Sequence, residues 1–216
     1  TVGLAAAAAA AALPRHPRED VSAETKRRNR EQYLRAWREP RTLTIALVGF
    51  SFIMAEWSAN TWVPIALTDS GFSEAAAASA LSLLWVMVTV MRLIGGVVVD
   101  TIGRWYTILA SALVTAAGIA LFMAVDYVSL PYLALVLWGV GLAIGFPMSV
   151  SAMGDEPDMA PARINMIVTV VYIASMTVGP ALGTVGQALG IYVAFSIPLV
   201  VLLVAAALSK ATKPAV

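Results

Sequence analysis

The chain has 216 residues, of which 60% are hydrophobic and only 12% charged, with a formal net charge of +1. Soluble domains carry about 25% charged residues, so this composition indicates a membrane protein. The absence of cysteine and the presence of one histidine, His16, exclude a disulfide framework and thiolate or histidine metal sites, and no cofactor is expected.

An eight-alanine run, Ala5–Ala12, opens the chain and ends at Leu13 and Pro14. A helix over the first 13 residues would span about 20 Å, which is less than the roughly 30 Å of a bilayer core. We interpret residues 1–13 as the tail of a truncated spanning helix, with more protein upstream. The alternative is a low-complexity alanine linker.

Residues 14–41 form a highly charged segment that contains nine of the 14 Lys and Arg residues. A basic run could indicate nucleic acid binding. A loop between two membrane segments is the better interpretation, and no nucleic acid partner is expected. Tyr33, Leu34 and Trp37 share one helical face, which predicts a helix at the membrane interface that ends before Pro40.

Six apolar spans follow. The first is interrupted by Glu56 and the second by Arg92. Residues 164–209 carry no charge and are too long for one crossing of about 20 residues, so we expect a turn at Gly186–Gly190. The predicted bounds are about 42–67, 75–99, 105–125, 130–153, 164–188 and 191–209, with a tail at 210–216.

The basic residues predict the orientation of these spans. Alternating crossings place 13 of the 14 Lys and Arg residues on one side, and the remaining one, Arg92, lies within a span. Positive charge marks the cytoplasmic side, so we expect the charged segment and the C-terminus in the cytoplasm.

A short motif joins the second span to the third. Gly95 and Gly96 permit close helix contact, and Gly103 can adopt the positive φ of a sharp helix stop. Asp100 and Arg104 flank that stop with opposite charges.

The spacing Gly96, Asp100, Gly103, Arg104 resembles the G-x-x-x-D-x-x-G-R loop signature of the major facilitator superfamily, although Thr101 and Trp105 stand where the family usually has bases. The motif follows the second of six spans, as in that family. The resemblance implies an all-α, polytopic bacterial inner-membrane protein: the C-terminal half of a 12-helix fold, whose partners are the lipid bilayer, a small-molecule substrate and the missing N-terminal six-helix half. The surroundings of Glu56 and Phe146 look most like the fucose-permease-like branch.

The same resemblance implies two inverted three-helix repeats with a substrate site near the midplane. The first and fourth spans should correspond, because Pro64 and Pro147 interrupt them at similar positions and Trp57 and Trp138 lie near their centres. We expect these two spans to line a cavity and the uncharged third and sixth spans to face lipid.

The candidate site residues are those polar and aromatic side chains that lie inside spans. A charge near a helix centre costs roughly 2.5–3.5 kcal/mol on insertion scales, so such residues usually face a cavity. Glu56 lies near the midplane with Trp57 beside it and Asn60 one turn further on. The substrate or proton candidates are Glu56, Trp57, Asn60, Trp138 and Tyr172.

The gating candidates are Arg92, Gly96, Asp100, Gly103 and Arg104. The family resemblance implies that Asp100 closes the inner gate by meeting a helix N-terminus of the other half. In this chain alone we expect Asp100 to be exposed or paired locally with Arg104.

Two functional classes fit these features. The first is a secondary transporter that works by alternating access, with Glu56 carrying a proton in symport or antiport. The second is a membrane protein without transport, such as a receptor or assembly factor. An enzyme is not expected, because the spans contain no paired acids, histidine cluster or Ser/His pair.

Overall fold

The computed structural model describes residues 23–124 and 130–214, and all of the regular structure in these ranges is helical. The first helix, α1, is Ala23–Ala36. Its first part belongs to an N-terminal unit, residues 1–31, where Arg27 pairs with Glu31 at 3.0 Å. The second unit, residues 32–216, contains the spans.

Six helices among the described residues are long and apolar enough to cross a membrane. The sixth span, Ile191–Thr212, consists of two α-helices and a 3₁₀ turn, Ser209–Thr212. The bounds are Pro40–Asp69 (α2), Glu74–Ile102 (α3), Arg104–Met123 (α4), Leu130–Met153 (α5), Ala160–Leu189 (α6), Ile191–Ala194 (α7) and Ser196–Leu208 (α8).

Local chemistry explains where these helices begin and end. Pro40 occupies the first turn of α2, where its missing N–H is not needed. The Ser73 hydroxyl caps α3 by accepting from the Ala76 N–H at 3.2 Å. Gly103 and Gly190 separate successive spans with φ of 82° and 98°, a region that disfavours side chains.

The core joins the third, fourth and sixth spans through aromatic rings. Trp138 packs edge-on against Phe122 and Phe195, with ring centroids 6.1 and 5.8 Å apart, and all three side chains are fully buried. Such edge-to-face pairs stabilise a core beyond the area they bury. This cluster holds three spans in one body and excludes Trp138 from any open surface in this conformation.

Burial of the spans differs from the sequence-based expectation. In the apolar 18-residue stretch of each helix, 67% and 56% of the residues are buried in the first and fourth spans, but only 17% and 28% in the second and fifth. The third span, which we expected to face lipid, is half buried because glycines let α4 approach α5 closely. The second and fifth spans therefore present the most exposed helix faces.

Candidate functional site

The candidate site lies between the first and second spans, near the middle of α2. Glu56 is half-buried there, close to the midpoint of Pro40–Asp69. One turn further on, Asn60 Oδ1 accepts a hydrogen bond from Trp85 Nε1 at 3.0 Å. This bond fixes the register of α2 against α3 at the level of the site.

Measured along the helix axis from the Asn60–Trp85 bond, Arg92 lies beyond Glu56. Arg92 is two turns of α3 from Trp85, about 10 Å, and Glu56 is about 6 Å from Asn60 in the same direction. No nitrogen of Arg92 lies within 4.0 Å of a Glu56 carboxylate oxygen, so the two residues do not form an ion pair. Glu56 thus lies between a hydrogen-bonded amide and a guanidinium, without an ion-pair partner among the described residues.

Arg92 also contacts the fourth span. Its Nε donates to the carbonyl oxygen of Ala143 at 3.4 Å. Pro147 lies four residues after Ala143 and has no N–H, so it cannot supply the helical hydrogen bond that this carbonyl would otherwise accept. Pro64 leaves the carbonyl of Asn60 without its helical donor in the same way. The two proline breaks therefore free backbone acceptors at the site.

The remaining substrate candidates divide by exposure. Trp57 is 42% exposed and Tyr172, on the fifth span, is 64% exposed. A groove of about 360 Å³ runs beside Trp85 along α3, lined also by Ser82, Val86, Thr89 and Val90. Trp138 lies in the aromatic core instead, and we leave it out of the proposed site.

The motif after the second span has one part in contact with the bundle and one part free of it. A Cβ at Gly95 would lie 3.0 Å from the Ile144 side chain, but one at Gly96 would meet no atom within 4 Å. Within the bundle, the expected close contact with a neighbouring helix is therefore formed at Gly95 and not at Gly96. Asp100 is exposed and has no hydrogen-bond or ion-pair partner among the described residues.

Arg104 pairs with Asp155 rather than with Asp100. Its guanidinium donates to both Asp155 oxygens, at 2.7 and 2.6 Å, and Arg41 donates to the same carboxylate at 2.7 Å. Burial would raise the pKa of Asp155, but the hydrogen bonds and charges of Arg104 and Arg41 outweigh it and lower that pKa. Asp155 therefore stays ionised and joins the first, third and fourth spans.

A second ion cluster lies at the start of the fifth span. Arg163 is only 3% exposed and pairs with Glu39 at 2.8 Å and Glu156 at 3.1 Å. Burial would raise the pKa of Glu39, but hydrogen bonds from Thr42 and Arg163 lower it on balance. The sequence analysis did not predict either ion cluster. They could have been predicted from the loop after the fourth span, which places two acids, Asp155 and Glu156, on the side of the membrane that carries the bases.

No metal centre is formed in residues 23–124 and 130–214, since no three His, Asp or Glu side chains there are arranged to hold an ion. The polar groups near the middle of the first two spans include the carboxyl group of Glu56, the guanidinium of Arg92, the amide of Asn60 and the indole rings of Trp57 and Trp85.

The comparisons with known proteins agree with this architecture. The Major Facilitator Superfamily profile matches residues 1–176. An uncharacterised MFS-type transporter of Yersinia pestis is 28% identical over 170 residues, covering 77% of this chain and 44% of that protein. The chain thus spans less than half the length of that relative.

Solved structures show the same fold at low sequence identity. The crystal structure of FucP, an MFS transporter in the outward conformation, superposes with a TM-score of 0.75 at 18% identity, over 93% of this chain and 48% of FucP. A variant of the E. coli fucose:proton symporter FucP gives 0.74 at 19% identity over 92% of this chain and 48% of that one. The POT family transporter PepTSo gives 0.69 at 22% identity, over 79% of this chain and 36% of PepTSo.

Proposed function

The chain belongs to the major facilitator superfamily of transporters, and we propose that it acts as the C-terminal six-helix half of a proton-coupled secondary transporter that works by alternating access. In this proposal residues 14–41 are the loop between the halves, residues 42–209 the bundle and residues 210–216 the C-terminal tail. The partner is a second six-helix half that closes over the exposed faces of the second and fifth spans. The substrate is a small solute that binds between the halves.

The observation that carries the proposal is the carboxyl group of Glu56 in the middle of a membrane span, which has no ion-pair partner among the described residues. Charged groups at this depth are costly and usually serve transport or proton transfer. No Lys or Arg side chain among the described residues forms an ion pair with Glu56, so no salt bridge has to break before its carboxyl group takes up a proton. Rocking of the two halves would change its hydration, which lets it bind a proton on one side and release it on the other.

The nearby polar and aromatic groups have a complementary role in this proposal. Asn60 and the exposed ring of Trp57 flank Glu56, and Tyr172 on the fifth span is exposed on a face that the other half would cover. These groups can hydrogen-bond and stack against a polar solute. The loop motif of Gly96, Asp100 and Gly103 would meet the other half at the inner gate, which agrees with the exposure of Asp100 and the open space at Gly96.

A second role for Glu56 is direct binding of a cationic or hydroxyl-rich substrate as a permanent carboxylate. The substitution Glu56→Gln distinguishes the two roles in proteoliposomes of the intact protein, using a solute identified by a thermal-shift screen. A proton carrier predicts that accumulation driven by a pH gradient falls to the level of empty liposomes, while exchange of labelled for unlabelled solute persists.

The control is Glu74→Gln, which removes an exposed acid at the start of the second span and should leave both activities intact. Gradient-driven accumulation that survives Glu56→Gln would overturn the carrier role. Loss of exchange together with accumulation would favour direct binding.

A further inference from the structure

Positive charge is in excess at the corner of the bundle where the third span begins and the sixth span ends. Arg41 and Arg104 share the one carboxylate of Asp155. Their other donors go to neutral backbone carbonyls of the last turn: Arg41 to Ala211 and Lys213, and Arg104 to Thr212. One acid thus offsets only one of the two arginines.

Two lysines add to this excess. The Nζ atoms of Lys213 and Lys210 lie 4.1 and 6.0 Å from the centroid of the same Trp105 ring. Neither lysine has a carboxylate within 4.0 Å among the described residues. Two like charges near one ring repel each other, so an anion bound close to both would stabilise this arrangement.

The cluster around Arg163 has the opposite charge balance. There two acids, Glu39 and Glu156, meet one buried arginine. Acids are therefore in excess at that cluster, whereas bases are in excess at the corner of Trp105 and the two lysines.

Neighbouring residues indicate that the anion lies in the membrane interface. Trp105 and Tyr106 stack with ring centroids 4.2 Å apart, and Tyr106 is 56% exposed. Tryptophan and tyrosine are enriched at the headgroup level of bilayers. Val200, Val204 and Leu208, spaced four residues apart on one face of α8, are exposed and offer an apolar track for an acyl chain.

We propose that Lys210 and Lys213, held beside the Trp105–Tyr106 pair, bind the phosphate of an anionic phospholipid, with its acyl chain along the exposed face of α8. Basic residues next to the ends of spans are attracted to anionic lipids. Trp105 holds the ammonium groups in place, and its Nε1 is itself fixed by donating to the Ser209 hydroxyl at 3.1 Å. A soluble phosphate would gain nothing from the apolar track.

The test places the intact protein in phosphatidylcholine nanodiscs that contain a fixed fraction of a lipid with brominated acyl chains, which quench tryptophan fluorescence on contact. Brominated phosphatidylglycerol is compared with brominated phosphatidylcholine. The quenching of Trp105 itself is the difference in quenching between the wild type and the Trp105→Phe variant. We expect stronger quenching of Trp105 by the phosphatidylglycerol, and loss of this preference in the double variant Lys210→Gln, Lys213→Gln.

Each lysine should change the apparent affinity for the anionic lipid roughly fivefold. Lys210→Arg with Lys213→Arg should keep the preference, and so should Lys26→Gln with Arg30→Gln, which removes two exposed charges from the N-terminal unit. Equal quenching by both lipids in the wild type, or an equal loss in the Lys26 and Arg30 control, would overturn the proposal. Displacement of the lipid by millimolar inorganic phosphate would assign the corner to a soluble anion instead.

Discussion

Pro147 shows how a single residue shapes the midplane of this bundle. By lacking an N–H it frees the carbonyl of Ala143, and Arg92 donates to that oxygen from the second span. The proline, the arginine and Glu56 are all visible in the sequence. Their connection is not, because it depends on which face of α5 meets α3, and that is decided by packing between helices rather than by any local pattern.

The carboxylate of Asp155 gives a residue-scale prediction about stability. Asp155→Asn removes the charge that Arg104 and Arg41 share, and Arg104 is only 11% exposed. Hydrogen bonds to charged groups contribute about 1.5–3 kcal/mol each, so we expect a loss of stability on that order at pH 7. Thermal unfolding in detergent measures it, and Asp158→Asn, an exposed acid in the same loop, is the matched control with little expected change.

The pH dependence of the same ion pair follows from the lowered pKa of Asp155. The unfolded chain binds the proton more readily than the folded one, so the stabilisation is present above the ordinary aspartate pKa of about 3.9 and is lost as pH falls through the lower folded value. The wild type should therefore approach the stability of Asp155→Asn as the pH falls below about 4. Parallel curves for the two proteins down to pH 3 would contradict the assignment.

At the scale of helices, small residues decide which spans pack closely. A Cβ at Gly141 would lie 2.4 Å from the Thr115 nitrogen, and one at Gly118 would lie 2.5 Å from the Trp138 nitrogen. These two contacts, one helical turn apart, bring the backbones of α4 and α5 close together. Charged residues mark Gly95, Gly96 and Gly103 as part of a motif in the sequence. Uniformly apolar runs surround Gly118 and Gly141, so the sequence does not predict that these two glycines lie at a helix contact.

Gly141→Ala tests this packing. The added methyl group forces α4 and α5 apart, and overpacking of this kind costs roughly 1–3 kcal/mol. Gly96→Ala is the matched control, since a Cβ there meets no atom of the bundle and alanine favours a helix over glycine. We expect a lower thermal unfolding temperature for Gly141→Ala only. Equal behaviour of the two variants would show that α4 and α5 do not approach as described.

The predictability of the elements follows from their chemistry. Long apolar runs separated by charges and glycines predicted six membrane helices, and the structure contains six such helices among its described residues. The relative burial of those helices was not predictable from composition, because a lipid-facing surface and a helix–helix interface are equally apolar. The family was predicted from one loop motif that follows the second of six spans, and the profile match confirms this prediction.

At the scale of the whole molecule, the contacts between distant basic residues define one end of the bundle. Arg41, Arg104 and the C-terminal lysines come together through Asp155 and Trp105, although more than 170 positions separate the first from the last. The positive-inside rule assigns this end to the cytoplasm. We propose this orientation, with the whole protein in the bacterial plasma membrane.

A topology experiment checks this orientation. Alkaline phosphatase fused after Lys213 should be inactive, because it would remain in the cytoplasm. The same reporter fused after Gly71, in the turn between the first and second spans, should be active in the periplasm. An active fusion at Lys213 together with an inactive fusion at Gly71 would show the opposite orientation in the membrane.

The central claim is that the midplane around Glu56 is a water-filled pathway open to each side in turn. The described chain contains no cysteine, so single cysteines can be introduced without background from it. In the intact protein, Trp57→Cys should react with a membrane-impermeant maleimide from either side of the membrane. Val200→Cys, which is more exposed in the bundle but lies on the apolar face of α8, should stay unlabelled. If Trp57→Cys is labelled no more than Val200→Cys from either side of the membrane, the account is contradicted.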